Sequence, residues 1–311
     1  MKTIRLFLPL LFAFISILEV QAQNEPLIQQ YIYNMQMVNP AYAGNREALT
    51  IAGIGRFQWV GIDGAPTTQA LTVNTPLNKQ RFGIGLTLFS DQIAKTTTFN
   101  SQLDLSVRFP VGKEGVFSFG MKGSIWRLSE KLRELELQNR GDDIFKNPIP
   151  RRTLPNVGAG AYYRWKNGYA GVSVPHLLET SLDANTVGGG LRAAAYRHYY
   201  GVAGWTTLVA ERIRFKASSL LRYTTRTPFH VGLNGRLIFH EKIMMGLAYN
   251  YRSSVGLLFG LNLNEQLRLG YNYDWAFSGA STGIFNTSHE IALRYDFLYK
   301  NSKGAQSPRF F

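Results

Sequence analysis

The stretch NSQLDLSVRFP, residues 100–110, alternates without a break. Leu103, Leu105, Val107 and Phe109 fall on one side of an extended chain, and Gln102, Asp104, Ser106 and Arg108 on the other, because successive side chains of a strand point to opposite faces. Such a strand is apolar on one face only. The pattern returns along the chain. Phe117, Phe119, Met121 and Ile125 oppose Ser118, Gly120, Lys122 and Ser124, and Val157, Ala159, Ala161, Tyr163 and Trp165 oppose Asn156, Gly158, Gly160 and Arg164. Further runs fall near 213–222, 229–239, 243–251, 255–261, 267–275 and 291–297, with weaker ones near 47–59, 67–75, 81–90, 168–174 and 196–208. Together they predict about fourteen strands, an even number, as in bacterial outer-membrane barrels.

Alternation alone also fits a soluble barrel or sandwich, which turns its apolar face inward. Composition and loop lengths favour the membrane. The charged fraction is 17%, aromatics make up 13%, and there are 30 glycines. The mean hydropathy of −0.12 is too polar for a helical membrane protein but suits a barrel, where one face in two meets lipid. Alternate connections are tight, near 78–80, 112–115, 166–168, 210–212, 240–242 and 264–266, while the intervening ones run longer, above all 129–154 and 175–195, although the one at Arg252 and Ser253 is short. Tight periplasmic turns and long outer loops are the asymmetry of outer-membrane barrels. A polar face rich in glycine and arginine suits a wet lumen. The fold predicted is an all-β transmembrane up-and-down antiparallel β-barrel over residues 47–298.

The flanks read differently. Lys2 and Arg5 precede a leucine-rich core running to Val20, and Val20-Gln21-Ala22 is a small-residue cleavage site, so residues 1–22 read as a signal peptide cut near Ala22. Residues 23–46 precede the first strand and are poor in charge, which suits either a plug for the lumen or an ordered lip that docks a periplasmic partner. Residues 299–311 read as a polar tail. With no cysteine the chain has no disulfide, thiolate metal site or cysteine nucleophile. His176, His198, His230, His240 and His289 show no metal spacing, no catalytic Ser/His/Asp order is suggested, and no cofactor is implied. A phospholipase-like enzyme is the remote reading. The net charge of +14 comes from basic residues scattered singly among strands, which argues against nucleic acid and allows a lumen lined with cations. SEKLRELELQ at 129–138 could form a short amphipathic helix, and VGGG at 187–190 reads as a loop tip.

Two groups of side chains stand out. In RFQWVGIDGAPTTQ, residues 56–69, a strand reaches Trp59 and turns back through Gly61, Asp63, Gly64 and Pro66, so Trp59, Asp63 and Pro66, with Trp275, form an expected outer rim for a partner. In a closed up-and-down barrel the first and last strands pair. Arg56, Asp274 and Glu290 should then meet on the polar face near the outer mouth, as a salt-bridge network closing the seam or as a polar seat for a partner's segment.

QQYIYNMQMVNPAYAG at 29–44 and RFQWVGIDGAPTTQALTVNTPL at 56–77 resemble the opening of the PorP/SprF family, with further matches at 155–165, 169–179, 197–204, 270–279 and 289–297. The signature segment includes Asn39, Pro40, Tyr42 and Gly44. One departure is Ala94 after Ile93, where the family usually shows an isoleucine-glycine pair. The resemblance implies a non-enzymatic outer-membrane protein of the Bacteroidetes type IX secretion and gliding apparatus. It would work with translocon components to export or anchor a large adhesin-like secreted protein through its C-terminal domain, and some members contact a periplasmic peptidoglycan-binding protein. The residues alone stop at a porin-like diffusion channel for small anionic solutes.

Overall fold

The computed structural model describes residues 30–46, 48–77, 81–130, 152–182, 193–195, 197–225, 227–277 and 287–297. The expected signal peptide, the tail, the VGGG run and residues 131–138 of the expected helix lie outside these; Ser129 and Glu130 belong to a strand.

Fourteen strands close into one antiparallel barrel. In chain order they are β1 (Leu49–Gln58), β2 (Thr67–Leu77), β3 (Phe82–Ile93), β4 (Thr96–Val111), β5 (Gly115–Glu130), β6 (Arg152–Trp165) and β7 (Gly168–Val174), then β10 (Tyr199–Ala210), β11 (Ile213–Thr224), β12 (Thr227–Phe239), β13 (Ile243–Asn250), β14 (Ser254–Asn262), β15 (Leu267–Ala276) and β16 (Thr287–Phe297). Each strand pairs with its neighbours in sequence, and β1 closes on β16 over the register Leu49↔Phe297 to Gln58↔Ser288. Each expected run is one of these strands. Two short strands, β8 (Thr180–Leu182) and β9 (Ala193–Ala195), form a separate ribbon inside the connection read from sequence as a plain loop.

Burial along β4 decides which face meets what. Leu103, Leu105 and Phe109 are 47%, 53% and 49% exposed, whereas Asp104, Ser106 and Arg108 are 0%, 5% and 5% exposed. The apolar face points outward. That inverts a soluble barrel and is the arrangement a hydrocarbon solvent requires. The same side of neighbouring strands carries Leu86, Phe119, Met121, Val172, Leu233, Leu247, Leu257 and Ile291, all exposed.

The connections follow the expected asymmetry only in part. One end of the barrel has tight turns at 112–114, 166–167, 211–212, 240–242 and 263–266. At the other end, residues 131–151 and 175–198 separate barrel strands, but β3–β4 and β11–β12 turn within 94–95 and 225–226, as short as the turn at 251–253. Ala94 takes φ +50° there, in the left-handed region that glycine enters without a side-chain penalty. By the asymmetry of outer-membrane barrels the tight-turn end faces the periplasm.

Met121, 72% exposed near the middle of β5 and opposite Leu105, provides a direct check of the outward face. Met121→Arg should destabilise the barrel by about 2–4 kcal/mol, measured by equilibrium unfolding in lipid vesicles; an unchanged midpoint would contradict a lipid-facing site.

Candidate functional site

Residues 30–46 run through the lumen as three single-turn 3-10 pieces, Tyr31–Tyr33, Met35–Met37 and Pro40–Tyr42. The last is built locally. The Asn39 side chain accepts a hydrogen bond from the Ala41 N–H at 3.0 Å, and Pro40 follows at the first helical position, where a missing N–H costs nothing.

The segment is bonded to strands around the barrel. The Gln30 N–H donates to Glu290 at 2.6 Å, the Tyr33 hydroxyl to the Leu269 carbonyl at 3.2 Å, and the Gln36 amide to Asp104 at 2.9 Å. Asn39 donates to the Ala161 carbonyl at 3.0 Å and Asn45 to Ser118 at 3.2 Å. In the other direction Ser106 donates to the Ala43 carbonyl at 2.7 Å, Ser173 to Val38 at 2.8 Å, and Arg108 to the Gly44 carbonyl. An apolar knot of Tyr31, Met35, Ala41 and Tyr42 packs on Tyr162, Tyr169, Val202 and Leu220 from the wall.

The lumen-facing glycines, read from sequence as a sign of water, instead make room for this plug. A Cβ on Gly83 would strike the Ala43 carbonyl, one on Gly120 the backbone of Pro40 and Ala41, and one on Gly160 the Asn39 side chain. Gly44 fits from the other side: at φ +68° a Cβ would sit 2.8 Å from the Gly83 Cα. Asn39, Pro40, Tyr42 and Gly44, the signature residues, therefore all sit on the plug, the first three buried against the wall and Gly44 in backbone contact with it.

Ion pairs pin both ends. At the outer level Arg56 reaches Glu290 at 3.2 Å and Asp274 at 3.5 Å, and all three are buried. Arg56 and Glu290 are direct cross-strand partners. The Glu290 carboxylate also accepts the Gln30 N–H, so the trio holds the plug as well as the seam. At the inner level Arg46 grips Asp296 through two bonds of 3.0 and 2.8 Å, and Thr50 donates to the same carboxylate at 2.8 Å. Burial works most strongly against the Arg46 charge, but the Asp296 carboxylate and the Tyr42 hydroxyl together outweigh it and hold the guanidinium pKa above its usual value. A third pair, Lys122 with Asp104 at 3.3 Å, lies midway and takes the Gln36 amide. Neither the Arg46–Asp296 pair nor this one stood out in the sequence: Arg46 and Asp296 lie 250 residues apart, and Lys122 meets Asp104 only once the β4–β5 register is fixed.

Above the plug lies a cavity of about 80 Å³ with Tyr31 and Met37 as floor and Phe89, Asn100, Trp126 and Arg222 among its walls. The His176 ring meets Trp126 edge-on at 5.0 Å. The rim residues lie nearby. Trp59 takes φ +48° and donates its N–H to the Thr287 carbonyl at 2.9 Å, Trp275 pairs with Thr287 across the sheet and is 51% exposed, and Asp63 is exposed. Pro66 is buried under the loop, its carbonyl accepting the Gln58 N–H at 3.0 Å, so it offers no surface.

The sequence profile of the family described as "Type IX secretion system membrane protein PorP/SprF" matches residues 20–295. The chain belongs to the PorP/SprF family. This PorP/SprF protein is similar in fold to the Ralstonia pickettii toluene transporter TbuX, with a TM-score of 0.50 and 10% identity over 85% of this chain and 93% of that one. The CymD monoaromatic hydrocarbon channel is similar to the same degree, with a TM-score of 0.50 and 10% identity over 86% and 93%. At such identities the likeness speaks for the fold alone. No curated protein sequence matches the chain. The family is described as a membrane protein of the type IX secretion system, and the fold is that of an outer-membrane barrel.

Two variants separate seam from plug. Arg56→Glu leaves two buried carboxylates facing a third, a loss of about 3–5 kcal/mol, and should abolish the heat-modifiable band of the assembled barrel; normal migration would overturn the role. Gly83→Leu should leave that band intact while expelling the plug, read as new conductance steps in a planar bilayer.

Proposed function

We propose that this PorP/SprF protein is an outer-membrane partner of the type IX translocon that assists export of a large adhesin-like protein, or anchors it at the cell surface, through that protein's C-terminal domain. The chain reaches the membrane by its leader, cut near Ala22, and residues 23–46 then serve as the plug. The observation that carries the reading is the filled lumen. A barrel whose interior is bonded to its own chain from Glu290 to Ser173 has much of its lumen occupied by residues 30–46, which disfavours the alternative of a porin for small anions.

Its working surface is then the long-loop end. Trp59, Asp63 and Trp275 supply the amphipathic aromatic and polar rim that protein partners use, and the cavity above Tyr31 gives a shallow socket for a protruding side chain. Arg56, Asp274 and Glu290 act beneath it as structural support, since the plug already uses the carboxylate. A periplasmic peptidoglycan-binding partner would meet the opposite, tight-turn end.

Affinity purification of the tagged barrel in mild detergent, followed by mass spectrometry, should recover a large secreted protein in about equal amounts, and the same sample should show no steady conductance. A barrel that comes out alone and conducts small anions freely would move the function to the porin.

A further inference from the structure

Carboxamides with nothing to bond wall the cavity above the plug. Phe89, Asn100 and Trp126 are cross-strand neighbours on β3, β4 and β5, so one row of the wall sets an amide between two aromatic rings. Gln102 follows two residues on along β4, on the same face. From the plug comes Asn34, the residue that joins the turns Tyr31–Tyr33 and Met35–Met37. All of these but Tyr33 and Met35 line the cavity or flank it, and Asn34, Asn100 and Gln102 do so together with Met37 and Leu220. Asn100 is 0% exposed and Asn34 3%. Neither the Oδ1 nor the Nδ2 of Asn100 has a hydrogen-bond partner among the described residues, and neither has Asn34 Nδ2. Gln102 differs, since its Oε1 accepts from Lys122. Buried polar groups are bonded as a rule, so unpaired amide atoms beside one cavity ask for an occupant.

What they ask for is specific. Asn34 and Asn100 each offer N–H donors, and Asn100 also offers an acceptor in the plane of its donor. A carboxylate accepts from both donors but turns an oxygen on Asn100 Oδ1. An ammonium leaves both donors unmet. A primary carboxamide answers all three atoms, because its oxygen has a lone pair for each Nδ2 and its NH2 donates to Asn100 Oδ1. Size agrees with this. A dry cavity of about 150 Å³ takes a benzene ring. The 80 Å³ here is too small for a ring and suits a planar group of roughly four heavy atoms.

The geometry points to a socket for the side-chain carboxamide of a glutamine or asparagine carried by the exported protein. This rests on the reading of the barrel as that protein's partner. The amide enters from the long-loop end, and its methylene stem packs on Met37, Trp126 and Leu220. Asn34 belongs to the plug and Asn100 to β4. A side chain seated between them bonds to both, so the exported protein engages the plug and not the rim alone.

Propionamide is the probe. In the full chain held in lipid nanodiscs with isotope-labelled asparagine, the side-chain NH2 resonances of Asn34 and Asn100, assigned by substitution, should shift saturably as propionamide is added. Propionate, propylammonium and propanol at equal concentration should leave them in place. Asn100→Leu removes both unpaired atoms and keeps the branched shape, so the heat-modifiable band should persist while propionamide affinity, read on Asn34, falls about tenfold or more. Should that variant fail to assemble, Asn34→Leu on the plug should show the same loss, read on Asn100. The secreted protein recovered with the tagged barrel should fall in either variant. Saturable propionamide binding with no secreted protein recovered would support the carboxamide site and overturn the partner reading. No saturable shift in the unaltered chain, with the secreted protein still recovered, would leave that reading standing and reduce the socket to a water-filled cavity. An equal response to propionate or propanol, or undiminished affinity in the variants, would overturn the proposal as well.

Discussion

Hydrocarbon offers no partner to a backbone N–H or C=O, and the pairing of β1 with β16 answers that constraint. Everything else in the molecule follows from closure. A closed sheet has no edge to protect, its outer face must be apolar, and its inner face must be satisfied by something other than lipid. In a wide barrel water does this. Here the chain's own residues 30–46 do it, threading carbonyls and amides past the inward side chains of at least six strands.

The plug explains why so many polar groups can be buried. Thr50, Asp104, Lys122, Asn272 and Glu290 are nearly inaccessible, a pattern that would be ruinous in a core of hydrocarbon side chains. In the lumen each ion pair is set by strand register on one side and by a plug group on the other. Arg46 and Gln30, at the two ends of the segment, each engage a carboxylate of β16. The last strand is thus both seam and clamp.

Much of the barrel was legible because period two is a strong local signal: Leu103 to Phe109 reads as one face without knowledge of any partner. The Arg56, Asp274 and Glu290 meeting was legible too, since closure forces the first strand beside the last. The direction of the apolar face rested on composition and loops, and those loops misled in part, for the turns at 94–95 and 225–226 are as tight as any at the other end. The plug's path was opaque. Single 3-10 turns leave no periodicity, and the glycines that seat it, such as Gly83 and Gly120, look in sequence like ordinary small residues on a polar face. Steric room shows only when the occupant is present.

The plug precedes every strand in the chain, yet its bonds reach Glu290 and Asp296, separated from Gln30 and Arg46 by 260 and 250 residues. Those two carboxylates belong to the last strand, so the segment that precedes every barrel strand cannot complete its set of anchors until the final strand has been made, whereas its bonds to Asp104, Ser118 and Ser173 need only earlier strands. One short stretch of chain thus ties the two ends of the sequence to a single place inside the ring.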